Sequence, residues 1–177
     1  RLIAVGSGKQ RLPHLDLACG RGDDIGEWKA AGVPHALGLD DSHESVEEAR
    51  RRACDEPWCT FEVRERGPLL PGRSNVYGSV ACMFALHRYA ESELALGRVL
   101  CDVHRLLVEG GTFYGIVSNG TAMVGALAGQ ASHASSLVTI TREWPAGTDP
   151  RPFGSAIGVT VVGGARRREH LVFPSVL

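Results

Sequence analysis

The residues with the clearest capacity for chemistry lie in one short stretch, where an apolar run stops at two glycines and then turns acidic. The stretch follows the pattern Asp16-x-x-Cys19-Gly20-x-Gly22. Gly20 and Gly22 can adopt positive φ and let backbone approach a ligand without a Cβ in the way. A strand that turns sharply into a helix also points backbone N–H groups at whatever binds there. The stretch therefore predicts a strand–turn–helix site for a nucleotide-like ligand.

The turn differs from the glycine pattern of dinucleotide-binding proteins. Their fingerprint G-x-G-x-x-G is not met, because Ile25 stands at the place of the third glycine. Asp23 or Asp24 can cap the helix that follows, which runs from Asp24 to Ala31. The alternative interpretation is a strand-to-helix turn that binds nothing, and the motif alone leaves both open.

A second acidic pair follows the next predicted strand. Asp40 lies roughly twenty residues beyond the first strand, where a doubly wound fold places a carboxylate that accepts from both hydroxyls of a ribose. Asp41 competes for that role, but with Glu44 it forms a better capping pair for the helix that runs to Cys54. We expect Asp40 to hold the ribose.

The rest of the chain supplies the elements that would position these residues. The most regular helical pattern is Ser92–Val108, with apolar residues at three- and four-residue spacing. From Ser135 onward the pattern changes to two strands joined by a loop rich in proline and glycine, Leu137–Ile140 and Ile157–Val162. The earlier predicted strands are Leu15–Ala18, Ala36–Leu39, Thr60–Val63, Val76–Leu86 and Thr112–Val117.

This order predicts a single α/β domain over residues 1–177. Strands that alternate with helices favour a Rossmann-like, mostly parallel twisted sheet with helices on both faces. The last strands would form an antiparallel C-terminal addition.

Composition excludes several classes of protein. The net charge of -1 gives no global electrostatic reason to bind nucleic acid, so any RNA contact would depend on a local patch. The five cysteines are odd in number and scattered, which favours reduced thiols in an intracellular protein and neither a disulfide framework nor a zinc site. The cysteine pattern therefore predicts no metal. No apolar run approaches the roughly 18 residues of a membrane span, so we also expect no membrane partner.

The motifs resemble those of a known family when they are taken in order. The glycine turn is similar to the first motif of class I S-adenosylmethionine-dependent methyltransferases, whose loop wraps the amino-acid end of the cofactor. Later segments resemble successive motifs of eukaryotic mRNA cap guanine-N7 methyltransferases. These segments are Phe84-Ala85-Leu86-His87, Leu106–Phe113, Ser118-Asn119, Phe153-Gly154 and Glu169–Pro174.

The resemblance implies a set of cofactor-binding residues. Asp40 would hold the ribose, and Glu65, where the family usually has aspartate, would face the adenine amino group. Arg21 stands where the family has a basic residue or its close neighbour. The full set implied for S-adenosylmethionine is Asp16, Ala18, Gly20, Arg21, Gly22, Asp40, Asp41, Glu65 and Met83.

The resemblance also implies residues for the cap guanine, namely Phe84, His87, Arg88 and Glu169. The Glu169 carboxylate could accept from the guanine N1–H and 2-amino group together, a pattern that adenine cannot offer. His87 could donate to the guanine carbonyl oxygen, and Phe84 could form an apolar wall. Arg88, where the family has tyrosine, could meet the cap triphosphate.

Each of these residues has a plainer interpretation. An aromatic residue in an apolar strand is commonly part of the core, and a histidine at a strand end is commonly a partly exposed polar residue. Glu169 follows Arg166-Arg167-Arg168, and such a run is commonly a charged, solvated turn whose ions pair with each other. The same arginines could instead touch transcript phosphates.

The implied reaction is methyl transfer from S-adenosylmethionine to N7 of the cap guanine, with S-adenosylhomocysteine as product. N7 carries no proton at neutral pH, so positioning would suffice and no residue is assigned as a catalytic acid or base. The resemblance further implies capped RNA (a GpppN end) as partner, other capping enzymes or an activating subunit, and a nuclear location. Segments that the family has on both sides are absent, so we expect an incomplete catalytic domain.

Two other functions stay open. Met83 and Arg88 replace the glutamine and tyrosine of the family pattern, which favours a class I methyltransferase with a small-molecule or protein acceptor. An inactive cofactor-binding module is the non-enzymatic alternative.

Overall fold

The computed structural model describes residues 11–64, 67 and 69–176 of the chain, and these residues form nine strands and four α-helices. Two short 3-10 helices, Leu86–Tyr89 and Pro174–Val176, complete the description. The elements are β1 (His14–Asp16), α1 (Ile25–Ala31), β2 (Ala36–Asp40), α2 (His43–Arg52), β3 (Cys59–Val63), β4 (Tyr77–Met83), α3 (Glu93–Leu106), β5 (Leu107–Ile116), α4 (Gly120–Leu127), β6 (Ser132–Ala134), β7 (Val138–Arg142), β8 (Ala156–Val161) and β9 (Arg167–His170).

The elements group into two units. The parallel unit comprises the described residues up to Ala85 together with Arg98–Ile116. The antiparallel unit comprises Leu86–Gly97 and the described residues from Val117 onward. That the whole chain acts as one domain stays a prediction.

The parallel unit contains a five-stranded sheet in the order β3-β2-β1-β4-β5, and all of its strand pairs are parallel. The chain builds outward from β1 to β3 and then reverses through β4 to β5. Because crossovers between parallel strands are right-handed, this reversal places α1 and α2 on one face of the sheet and α3 on the other. The carboxyl ends of β1 and β4 are therefore neighbours at the switch point, where open α/β sheets bind ligands.

The face under α1 and α2 is packed by a continuous apolar cluster. Trp28 of α1 stacks on Phe61 of β3, with ring centroids 6.2 Å apart. Burial of such side chains is the main favourable term that holds the two helices on the sheet. The buried members of this cluster are Cys19, Ile25, Trp28, Ala36, Val46, Ala49, Ala53, Cys59 and Phe61.

The antiparallel unit contains a four-stranded sheet in the order β6-β7-β8-β9. One face of this sheet packs on α4 through four buried residues, Leu127, Ile140, Ile157 and Leu171. The predicted α/β fold with an antiparallel C-terminal addition is therefore confirmed, although α4, β6 and β9 were not predicted. Among the described residues, no helix is both long and apolar enough to cross a bilayer.

Several boundaries differ from the prediction. The helix predicted to continue to Val108 ends at Leu106, and β5 begins at the next residue. The start of β5 contains a β-bulge, because the register shifts between the pairs Tyr77–Leu107 and Ser79–Thr112. Gly110, with φ 74°, lies within this bulge. The strand predicted to reach Leu86 ends at Met83.

The predicted cap of α2 is also wrong. Ser42, and not Asp41, is the residue at the start of that helix, and its Oγ accepts from the Ser45 backbone N–H at 3.2 Å. A serine hydroxyl at this position satisfies one of the free N–H groups of the first turn.

A buried histidine lies in the core of the parallel unit. The Nδ1 atom of His14 lies 2.8 Å from the Ser79 Oγ, and its ring packs between Trp28 and Tyr114. Its Nε2 has no hydrogen-bond partner among the described residues. Burial lowers the pKa of His14 to about 4, and the hydrogen bond to Ser79 offsets this only in part.

We expect acid to destabilise the fold through His14. The folded protein keeps the imidazole neutral to about pH 4, whereas the unfolded chain takes up a proton below its ordinary pKa of 6.5. The contribution is thus fully present above pH 6.5 and is lost as the pH falls to about 4, by roughly 3 kcal/mol. The measurement is urea unfolding across this range for the wild type and His14→Gln, with Asp16 titrating in both. Equal pH slopes would contradict the prediction.

Candidate functional site

The turn after β1 has the strand–turn–helix form that the sequence predicts. Gly20 and Gly22 both have left-handed backbone, with φ of 53° and 75°. Asp16 at the end of β1 is 1% exposed, and its Oδ1 accepts from the Ala18 backbone N–H at 3.0 Å. The buried carboxylate therefore fixes the first residues of the turn.

Asp40, the predicted ribose residue, lies against this turn. Its Oδ2 accepts from the Gly20 N–H at 3.0 Å, and its Oδ1 accepts from the Ser42 N–H at 3.0 Å. The Cys19 N–H donates to the Leu39 carbonyl at 3.0 Å and adds a backbone link beside it. The structure thus brings together the two acidic positions and the glycine turn that the sequence singled out.

The two glycines of the turn have different surroundings. A Cβ built at Gly22 would lie 2.8 Å from the Ile25 Cδ1 and 3.2 Å from the Ala49 Cβ, so the turn packs tightly on α2 at this point. A Cβ built at Gly20 would meet no atom of the described chain within 4 Å. Gly20 is therefore the point where backbone is open to approach by a ligand.

The electrostatics of the turn are acidic. Burial raises the pKa of Asp16 to about 7; the Ala18 N–H opposes this, while the charges of Asp24 and Asp40 raise it further. Burial, with the charges of Asp16 and Asp24, raises the pKa of Tyr114 to about 12. A cationic group placed here would gain from all three carboxylates.

Sequence reasoning missed Tyr114 at this site. The register places it beside Ala81, which in turn pairs with Asp16, so the three lie side by side on β5, β4 and β1. The only signal in the sequence was the β-branched and aromatic composition of the fifth strand. Composition does not indicate which residues pair with the neighbouring strand, so it could not place Tyr114 in the same row as Asp16.

The other predicted cofactor residues have various positions. The Arg21 guanidinium donates to the Glu44 carboxylate at 2.8 Å on the exposed surface. Asp41 is exposed, and Met83 is half-buried at the end of β4, paired with Ile116. Glu65 lies outside the described residues.

Phe84 follows β4 directly and is not a core residue. It is 66% exposed, and its backbone is left-handed with φ 53° while its N–H donates to the Ile116 carbonyl at 2.8 Å. The interpretation of Phe84 as a buried aromatic is therefore wrong. An exposed aromatic on strained backbone is typical of a functional position.

In the antiparallel unit, two of the predicted guanine residues come together. The 3-10 helix that carries His87 packs against β9, which carries Glu169. Burial lowers the pKa of His87; Glu169 opposes this, and Arg88 and His170 lower it further. His87 and Glu169, far apart in the sequence, are thus electrostatic neighbours.

Glu169 is bonded to Ser118, a residue for which the motifs implied no role. The Ser118 Oγ donates to the Glu169 Oε2 at 3.4 Å. Ser118 lies just before α4, whose first residue, Gly120, donates its N–H to the Val172 carbonyl at 2.7 Å. This backbone bond keeps the start of α4 beside the end of β9, so the Ser118 contact follows from the fold.

The interpretation of Arg166-Arg167-Arg168 and Glu169 as a charged turn is also wrong. Arg167, Arg168 and Glu169 belong to β9, which pairs with β8. Arg166 and Arg168 do form ion pairs, but with Glu143 and not with Glu169.

Comparison with known proteins shows which family has this glycine turn and parallel sheet. A family model described as a methyltransferase domain matches residues 15–111, which is more than half of the chain. A solved S-adenosylmethionine-dependent methyltransferase from Clostridium acetobutylicum is similar in fold, with a TM-score of 0.65 at 16% sequence identity, over 94% of this chain and 70% of that one. The predictions of a Rossmann-like methyltransferase fold and of S-adenosylmethionine as cofactor are confirmed.

Curated relatives support the more specific resemblance. The mRNA cap guanine-N(7) methyltransferase of Schizosaccharomyces pombe is 27% identical over 139 residues, which cover 73% of this chain and 36% of that protein. The enzyme of the same name from Drosophila melanogaster is 26% identical over 192 residues, covering 94% and 44%. The chain therefore spans less than half the length of these relatives.

We expect Gly20→Ala and Gly22→Ala to separate ligand binding from folding. Both place an alanine on left-handed backbone, at a cost of about 1–2 kcal/mol, and Gly22→Ala adds the clash with Ile25 and Ala49. Urea unfolding should therefore show the larger loss of stability for Gly22→Ala. Calorimetry with S-adenosylhomocysteine measures the loss of affinity. The ratio of affinity lost to stability lost should be larger for Gly20→Ala than for Gly22→Ala. The reverse order in both measurements would contradict the assignment.

Proposed function

The chain belongs to the methyltransferase-domain family, and we propose that it forms part of an mRNA cap guanine-N7 methyltransferase catalytic domain. The observation that carries the proposal is the convergence of His87 and Glu169 in the antiparallel unit, with Ser118 bonded to the Glu169 carboxylate. The names of the curated relatives support the same substrate.

Glu169 provides the chemistry that selects guanine. A carboxylate can accept from the N1–H and the 2-amino group of guanine at once, and this leaves adenine without a matching donor pair. Ser118 engages Oε2 from one side, and each carboxylate oxygen keeps capacity for a further bond. The negative charge of Glu169 also stabilises the base as N7 methylation makes it cationic.

His87 complements this carboxylate because it stays neutral. Its lowered pKa means that the ring can donate one N–H to the guanine carbonyl without adding a positive charge beside the methylated base. Phe84 would wall the base and Arg88 would meet the cap triphosphate; both side chains are exposed. These assignments are proposals that follow the order of the motifs.

On the cofactor side, Asp16, Gly20 and Asp40 provide the binding groups. Asp40 already accepts one N–H at each oxygen and keeps lone pairs for the ribose hydroxyls. Asp16 faces the amino-acid end, where the ammonium group of the cofactor would meet the acidic turn. The remaining proposed contacts are Ala18, Arg21, Gly22, Asp41, Glu65 and Met83.

The reaction requires positioning and not a base. S-adenosylmethionine supplies a methyl group on a sulfonium, and the guanine N7 lone pair is already a nucleophile. No residue of this chain therefore needs to remove a proton, and the protein contributes in-line orientation and charge stabilisation. Capped RNA is the proposed substrate, with other capping enzymes or an activating subunit as partners and the nucleus as location.

A second candidate is methyl transfer to a small molecule or a protein. Met83 and Arg88 favour it, because they stand where the resembled family has glutamine and tyrosine. It would use the same cofactor turn, so only the acceptor distinguishes the two. Absence of S-adenosylhomocysteine binding by the folded protein would exclude both methyltransferase candidates.

We expect the affinity for S-adenosylhomocysteine to fall as the pH falls below about 7. The ligand ammonium favours the ionised carboxylate of Asp16, whose pKa is about 7 before binding, so affinity is level above that value and weakens below it. Asp16→Asn should bind more weakly and lose this dependence, whereas Asp24→Asn should keep it. Calorimetry between about pH 6 and about pH 8 provides the measurement. An unchanged pH dependence in Asp16→Asn would contradict the assignment.

We expect the full-length protein to methylate N7 of GpppRNA and Glu169→Gln to impair this roughly 100-fold in kcat/KM, since one acceptor of a paired contact is replaced by a donor. Affinity for S-adenosylhomocysteine should not change. The matched control is Glu143→Gln, because Glu143 binds the arginines of the same sheet. Methylation of other acceptors but not of the cap guanine would overturn the proposal.

A further inference from the structure

The three consecutive arginines before Glu169 have different surroundings. Arg166 lies 2.7 Å from the Glu143 Oε1 and Arg168 lies 2.8 Å from the Glu143 Oε2, so one carboxylate binds both. The Arg168 guanidinium also lies 3.1 Å from the His170 Nε2. The Arg166 side chain occupies the space over Gly158, where a Cβ would collide with it. These two arginines are therefore engaged by their own sheet.

Arg167 lies on the opposite face of β9. Side chains alternate along a strand, so Arg167 shares a face with Glu169 and not with its two neighbours. The register agrees, because Arg167 pairs with Val159 and Glu169 pairs with Ile157, and both partners belong to the cluster that packs on α4. The Cα atoms of Arg167 and Glu169 are about 7 Å apart, as two strand residues are.

The charge of Arg167 has no acidic partner in the part of the chain that the structure describes. Its guanidinium is exposed and makes no hydrogen bond or ion pair with a described residue. The Glu169 carboxylate on the same face is bonded to Ser118 instead. An arginine side chain can extend about as far as the spacing between the two Cα atoms, and its planar fork matches phosphate oxygens in a bidentate manner.

We propose that Arg167 is a phosphate-binding residue for the substrate whose guanine is held by Glu169. The inference rests on the proposed function and extends it to a further residue. The ligand chemistry is a phosphate of capped RNA, either in the triphosphate bridge or in the first linkages of the transcript. Arg167 thereby adds a local positive charge two residues from the Glu169 carboxylate on the same strand. Such a local charge matters because the net charge of the chain, -1, does not attract RNA.

The test uses the full-length protein with Arg167→Ala, Arg167→Lys and the matched control Arg166→Ala, which removes the same charge from the other face. We expect Arg167→Ala to raise the KM for GpppRNA roughly 5- to 10-fold, the size of one exposed charge-assisted contact. The slope of log affinity against log salt should fall by about 1, as for one lost phosphate contact. Arg167→Lys should recover part of the affinity, because lysine keeps the charge without the fork.

The control variant should change KM less than twofold, and S-adenosylhomocysteine affinity should be equal in all variants, which shows that they are folded. A loss that is equal for the dinucleotide GpppA and for long GpppRNA assigns Arg167 to the triphosphate, and a loss confined to long RNA assigns it to the transcript backbone. Equal KM and salt slope in Arg167→Ala and Arg166→Ala would overturn the inference. Absence of N7 methylation by the wild type would overturn the proposed function, and the inference with it.

Discussion

The carboxylate of Asp40 is the constraint on which the cofactor turn depends. Its two oxygens accept from Gly20 and Ser42, so one side chain at the end of β2 joins the turn after β1 to the start of α2. A charged acceptor makes such bonds stronger than those to a neutral group. The shape of the turn therefore depends on a side chain from the next strand as well as on its own glycines.

The near-zero net charge conceals two local fields of opposite sign. In the parallel unit, burial and the charges of Asp24 and Asp40 raise the pKa of Asp16, in a turn whose acidic groups suit a cationic ligand. In the antiparallel unit, Arg88 and Arg167 are exposed cations, and Arg167 shares a strand with the Glu169 carboxylate. A cofactor with an ammonium and a sulfonium suits the first field, and a polyphosphate suits the second. The net charge of the whole chain does not distinguish these two kinds of ligand. The positions of the charged residues within each unit do distinguish them.

Local patterns predicted the parts of the site that depend on local backbone. The glycine turn and Asp40 were found because strand ends and left-handed glycines leave a short-range signal. Tyr114 was not found, and Ser118 was singled out only as part of a motif, because the contacts of these residues come from strand register and from the docking of α4, which the order of the motifs does not encode. The strand β9 was missed because all four of its residues, Arg167–His170, are polar, so the apolar alternation that marks a strand is absent. The bulge in β5 shifted a boundary for a similar reason, since its glycines resemble a helix stop.

Phe84 combines an unfavourable backbone angle with an exposed ring. A phenylalanine in left-handed conformation costs about 1–2 kcal/mol relative to ordinary backbone, and an exposed ring recovers little of this through burial. Glycine or asparagine would fit the conformation better. A library of this chain sorted only for thermal resistance should thus drift away from the aromatic residue at this position.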